Sequence, residues 1–151
     1  MKKTLLAFTT LSILLFASCN KEGSDENEEP SLTKESLAGN YKLTSAKASV
    51  PGVGERDAMD IISPEPCQKD DIIALKADLT YEYKDEGTEC TPSGDETGTW
   101  TLNGDQLAAG PYEFTVTKWD GRVLQGTTKE SIEIIPGIPT EITITFEFTR
   151  Q

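Results

Sequence analysis

TEITITFEFTR, residues 140 to 150, decides how the fold is read. Successive side chains of an extended chain point to opposite sides, so Ile142, Ile144, Phe146 and Phe148 share one face and Glu141, Thr143, Thr145 and Glu147 the other. Such a segment buries one face and wets its back. The same period of two recurs in Tyr41, Leu43 and Ser45, in Asp71, Ile73 and Leu75, and in Tyr81 and Tyr83. It returns across residues 99 to 102 and in Tyr112, Phe114 and Val116. No stretch beyond the N-terminal region carries a long helical stripe.

Turn chemistry joins these strands. Asn103-Gly104 separates TWTL from DQLAA, and Asp120-Gly121 separates FTVTKW from RVLQG. Both dipeptides suit the positive φ of a type I′ hairpin, which makes consecutive strands antiparallel neighbours. A plain two-residue turn at Asp120-Gly121 puts Val116 and Leu124 on opposite faces, so a β-bulge near Trp119 is expected. Residues 45 to 66 and 84 to 97, rich in Gly, Pro, Asp and Glu, read as loops. A short helical turn before Leu37 would begin at Ser31 or Thr33. About eight short strands, each with one apolar face, need a second sheet or a closed barrel to bury it, and closure also removes exposed edges.

The N-terminus has a different character. Lys2 and Lys3 precede an apolar run over residues 5 to 16, softened by Thr9, Thr10 and Ser12 and followed by the small Ala17 and Ser18. The run is shorter than the roughly 20 apolar residues of a membrane-spanning helix, and the pattern is that of a cleaved signal peptide, residues 1–18. Phe16, Ala17, Ser18 and Cys19 resemble the lipobox of bacterial lipoproteins, with phenylalanine in place of the usual leucine. That resemblance implies diacylglycerol on the Cys19 sulfur and a mature chain beginning at Cys19. Residues 19–35, with Glu22, Asp25, Glu26, Glu28 and Glu29, bury nothing apolar and read as a flexible acidic tether. An acidic run behind a lipidated cysteine resembles the surface-export signal of Bacteroidota lipoproteins. The expected location is the outer membrane, lipid-anchored, on the periplasmic or cell-surface side.

Composition narrows the chemistry. The chain has 14 basic and 26 acidic residues and a formal charge of −12; loss of Lys2 and Lys3 with the signal peptide leaves −14. Nucleic acid is not an expected partner, because phosphate binding needs a basic face. The absence of histidine removes the commonest general base, the Ser-His-Asp triad and most zinc and copper sites. Carboxylates and tyrosines stand without a catalytic motif, so no enzyme and no cofactor are expected. Asp70-Asp71, Asp85-Glu86 and Asp95-Glu96 do not fit the spaced loop that gathers six or more oxygens on calcium, and read as solvated loop charge with no metal. GVGERD from Gly52 lacks the lysine of a phosphate-binding loop. With Cys19 committed to lipid, Cys67 and Cys90 remain as an even pair in an exported chain, and a disulfide between them is expected.

Together LAGNYKLTSA (37 to 46), CQKDDIIAL from Cys67, TYEY (80 to 83), Cys90, GTWTLNGDQL (98 to 107) and YEFTV (112 to 116) resemble the lipocalin-like domain common in lipoproteins of Bacteroidota. Gly39-Asn40-Tyr41 resembles the Gly-x-Trp opening of the first lipocalin strand, with tyrosine for tryptophan, and Asp78-Leu79 stands where the family has an Asp-Gly turn. The resemblance implies an all-β domain over residues 36–151, an antiparallel up-and-down eight-stranded barrel closed between its first and last strands. A barrel of eight strands is filled by side chains or holds one small molecule. With short strands and large inward residues, a small cavity is expected.

Two functions then compete, both for a monomer held to the membrane by its lipid. One is a binder of a small apolar or amphipathic molecule, with inward candidates Tyr41, Leu43, Ile73, Leu75, Tyr81, Tyr83, Trp100, Phe114, Val116, Ile144 and Phe146. The other is an interaction or inhibitor module with a filled barrel, its loops presented to a protein partner at the cell surface. Fold alone does not choose between them.

Overall fold

The computed structural model describes residues 30–135 and 137–151. The expected signal peptide, Cys19 and most of the acidic tether lie outside the described residues. The elements are α1 (Lys34–Leu37), β1 (Gly39–Val50), β2 (Gly54–Asp57), α2 (Met59–Ile62), a 3₁₀ turn (Pro66–Lys69), β3 (Ile72–Leu75), β4 (Thr80–Lys84), β5 (Glu96–Asn103), β6 (Gln106–Ala109), β7 (Tyr112–Trp119), β8 (Val123–Ile135) and β9 (Ile138–Arg150). Every strand pairing is antiparallel, and β9 pairs with β1 from Arg150↔Tyr41 to Thr143↔Ser49, closing the sheet into a ring. Eight strands make the circuit, as the alternation and the resemblance imply.

The ninth strand corrects the loop expected over residues 45 to 66. β1 runs on to Val50, and the chain folds back so that β2 pairs with its far half, on the edge that β3 occupies at its near half. β2 reads GERD and is exposed throughout. Its residue types have low strand propensity, and the neighbouring strand holds it extended. A bulge between Leu43 and Ser45 makes a second correction: the inward face passes from Tyr41 and Leu43 to Ala46 and Ala48, and Ser45 leaves it.

The bulge expected near Trp119 is present between Val116 and Lys118, and it brings Val116, Trp119 and Leu124 to one buried face. The hairpin turns differ by one residue from the expected ones. Their central pairs are Gly104-Asp105 and Gly121-Arg122, with positive φ at the glycines (64° and 89°) and not at the residues after them. Glycine at the first central position is type II′ chemistry. The shift sets Leu102 directly across from Leu107 and Trp119 across from Leu124, so apolar side chains meet in pairs. Leu79, where the resemblance would place the glycine of an Asp-Gly turn, takes a positive φ of 67°.

One end of the barrel is plugged. Thr33 caps α1 in a reciprocal pair with Ser36, and fully buried Leu37 drops into the base. Arg150, at the end of β9, ties this end together. Its guanidinium donates to the carbonyls of Ser36, Ala38 and Gly121 and to the Tyr41 hydroxyl, and lies 4.8 Å from the Trp119 ring centre and 5.5 Å from that of Tyr41. Trp100 fills the same end and donates from Nε1 to the Lys76 carbonyl. Arg150→Met keeps the apolar stem but loses the donors, so a loss of about 2 to 3 kcal/mol is expected in urea denaturation, with the β spectrum retained.

Candidate functional site

The opposite end is open. Around it stand the β1–β2 and β8–β9 hairpins, α2, the 3₁₀ turn, the loop before β5 and the Gly110-Pro111 turn between β6 and β7. β7 and β8 are paired only between Thr115 and Trp119; before Thr115, β7 follows β6, while β8 runs on with β9 past Thr127. The wall therefore parts between residues 112 to 114 and 128 to 130.

A cleft of about 740 Å³ fills this parting, with Phe114, Ile144 and Phe146 on its inner side, Ile62 of α2 above, and Thr128 and Lys129 at its lip. A second chamber of about 450 Å³ lies across the mouth between Asp71, Tyr83, Glu96, Tyr112 and Gln68. Ile62, Pro111 and Phe146 line both, so the two meet over the Phe146 ring. Each volume is within the roughly 300 to 1,000 Å³ typical of small-molecule sites. Deeper in the barrel, the voids beside Tyr41, Ile73 and Phe148 are about 10 Å³ each. That space is filled by packed rings: Phe148 stacks on Phe114 at 5.7 Å and meets the edge of Tyr112 at 5.1 Å.

Rim chemistry centres on Asp71, which precedes β3 by one residue and shares the inward face of Ile73 and Leu75. It is 6 % exposed, enclosed by close neighbours at the rim rather than by depth, and neither carboxylate oxygen has a hydrogen-bond partner. Tyr83 and the Glu86 amide approach it without hydrogen-bond geometry and pull its pKa down; the larger effect, burial, raises it above 3.8, and Asp85 and Asp70 add to the rise. Burial pushes the Tyr112 phenol up to about 12, with Asp71 contributing, and burial, Tyr112 and Asp71 carry Tyr83 higher still. Both phenols are therefore neutral donors at neutral pH.

A folded-state pKa above the unfolded value means that the native state binds the proton more tightly, so this group makes stability fall as pH rises through the window above 3.8. Asp71→Asn should accordingly melt at a higher temperature than wild type at pH 7, and the difference should vanish at about pH 3, where the acid is protonated in both states. Calorimetric scans at the two pH values check this.

The acidic pairs are not merely solvated charge, as the sequence reading had them. Asp85 accepts from the Cys90 and Gly94 amides, Asp95 from the Asp85 amide, and Asp70 from that of Thr88, so carboxylates set the loop conformations. Among the described residues no group of three or more Cys, Asp or Glu side chains is placed to hold a metal ion. Cys67 and Cys90 form a disulfide, with Cα atoms 5.4 Å apart, that ties the 3₁₀ turn to this loop at the rim.

Of the inward candidates, Tyr83, Phe114, Ile144 and Phe146 line the mouth, while Tyr41, Leu43, Ile73, Leu75, Tyr81, Trp100 and Val116 pack in the filled body. Of the three candidate tyrosines, Tyr41 donates to the Leu37 carbonyl and Tyr81 to the Glu96 carboxylate, and Tyr83 lines the chamber at the mouth. Sequence reasoning passed over Ile62, Pro111, Tyr112 and Asp71. The alternation had signalled two of them, since it set Tyr112 with Phe114 and Asp71 with Ile73.

A closed antiparallel ring, plugged at one end and open at the other, is an architecture typical of barrels that bind small molecules rather than catalyse. The chain is a member of the lipocalin-like domain family, whose model matches residues 37–134. The match ends in β8, so the strand that closes the ring lies beyond it. No curated protein and no solved structure matches the chain.

Proposed function

We propose that this protein is a lipid-anchored, extracytoplasmic carrier that takes a small amphipathic molecule in the mouth of its barrel. The observation that carries the reading is the joined cleft over Phe146, apolar at its floor and polar at its rim, above a body with no room for a ligand. The lipobox-like residues before Cys19 support the anchor, and the Cys67–Cys90 disulfide fits an oxidising compartment of the cell periphery. Cys19→Ala should lose the acyl mass and leave the membrane fraction; a variant still acylated and membrane-bound would end the anchoring proposal. Uptake of an apolar fluorescent probe by wild type tests the cleft.

One observation favours the second reading, a surface interaction module. Val53, Ile61, Ile132 and Ile138 are exposed, Ile61 to 76 %, and all four stand on the hairpins and helix around the open end. If wild type takes up no probe, this apolar rim becomes the functional surface.

A further inference from the structure

We infer that the chamber beside Asp71 selects a ligand carrying a protonated amine, with the Asp71 carboxylate as counter-ion and the apolar body of the ligand on Phe146, Ile62 and Pro111. This assignment rests on the mouth-cleft reading and names the ligand class for it. An inward carboxylate, almost wholly buried and with both oxygens unpartnered, is costly to the apo protein unless something else meets it. Among the described residues two carboxylates, Asp71 and Glu96, line the chamber, and no Lys or Arg does. Glu96 is already engaged by the Tyr81 hydroxyl, which leaves Asp71, approached by Tyr83 and the Glu86 amide but in no formed hydrogen bond, as the acceptor for a ligand.

The surroundings bias the chamber the same way. Asp70 and Asp85 lie close enough to Asp71 to act on its charge, and the whole chain carries an excess of acid, so a cation entering the mouth moves down the local potential. Tyr83 and Tyr112 line the chamber with the carboxylate, and aromatic rings suit an ammonium group and its first methylenes. A carboxylate ligand would meet repulsion at the same place. An uncharged alcohol would find the apolar floor but leave Asp71 without a charge partner.

Calorimetric titration of the full-length protein with octylamine, octanol and octanoate tests the assignment, since the three share one chain and differ only in the head. Octylamine should bind about tenfold or more tighter than octanol, the scale of a hydrogen bond to a charged group, with octanoate weakest. Asp71→Asn should bring octylamine down to the affinity of octanol while octanol binding is retained, and Tyr83→Leu, which removes the ring beside the carboxylate, should narrow the gap with Asp71 in place. If all three heads bind equally well to wild type, the amine assignment falls and the cleft reading stands. If none binds, the cleft reading itself falls. A preference that survives intact in folded Asp71→Asn would remove Asp71 from the site.

Discussion

Phe148→Ala is expected to cost about 3 to 5 kcal/mol in chemical denaturation, whereas Phe146→Ala, two residues earlier on the same face, should cost less and weaken probe uptake instead. Phe148 is walled in by Phe114, Phe146 and Tyr112 and faces only voids of about 10 Å³, so its removal leaves a cavity that the rigid ring of strands cannot collapse. Phe146 packs on the same rings, at 5.7 Å from Tyr112 and 5.8 Å from Phe114, but one side of it already borders the open cleft. Space opened there merges with solvent and forfeits fewer contacts. Equal losses for the two variants, together with no uptake by wild type, would make the mouth ordinary packing and transfer the function to the apolar rim.

The second large effect belongs to the disulfide. Cys67→Ser should lower stability by about 2 to 5 kcal/mol, chiefly by freeing the unfolded chain of a closed loop whose ends are 23 residues apart. The β spectrum should survive, because neither cysteine lies in a strand of the ring. Binding should suffer beyond what stability explains, since Cys90 lines the chamber and its amide is held by Asp85. Reduction of wild type with dithiothreitol should reproduce both changes; a reduced protein that melts as the oxidised one does would contradict the account.

The two predictions draw on different layers of information. Cys67 and Cys90 were pairable from the sequence because two cysteines left over in a chain that reads as exported have few other uses. The strands of the ring were legible because a period of two states which face is apolar, and even the bulge at residues 116 to 118 followed from the conflicting faces of Val116 and Leu124. The helical turn at Lys34–Leu37 was legible in Thr33, the cap residue. β2 was not, since GERD has neither alternation nor propensity and is extended only because β1 offers it an edge. Likewise the run Tyr41, Leu43, Ser45 misled, because the bulge between Leu43 and Ser45 has no turn beside it to expose a conflict of faces, yet it exchanges the faces beyond it.

By itself, then, the sequence determined an antiparallel β domain of about eight strands, its disulfide, and the list of side chains that point inward. Tertiary structure decided where along the barrel each of them stands. Alternation assigns a face, but height comes from the stagger of the closing strands and from the plug of Leu37, Trp119 and Arg150 at one end. That height makes Phe148 core and Phe146 floor. It also turns Asp71, whose charge read as solvated, into an enclosed carboxylate at the open mouth, because the ring brings Tyr83 of β4 and Tyr112 of β7 around it.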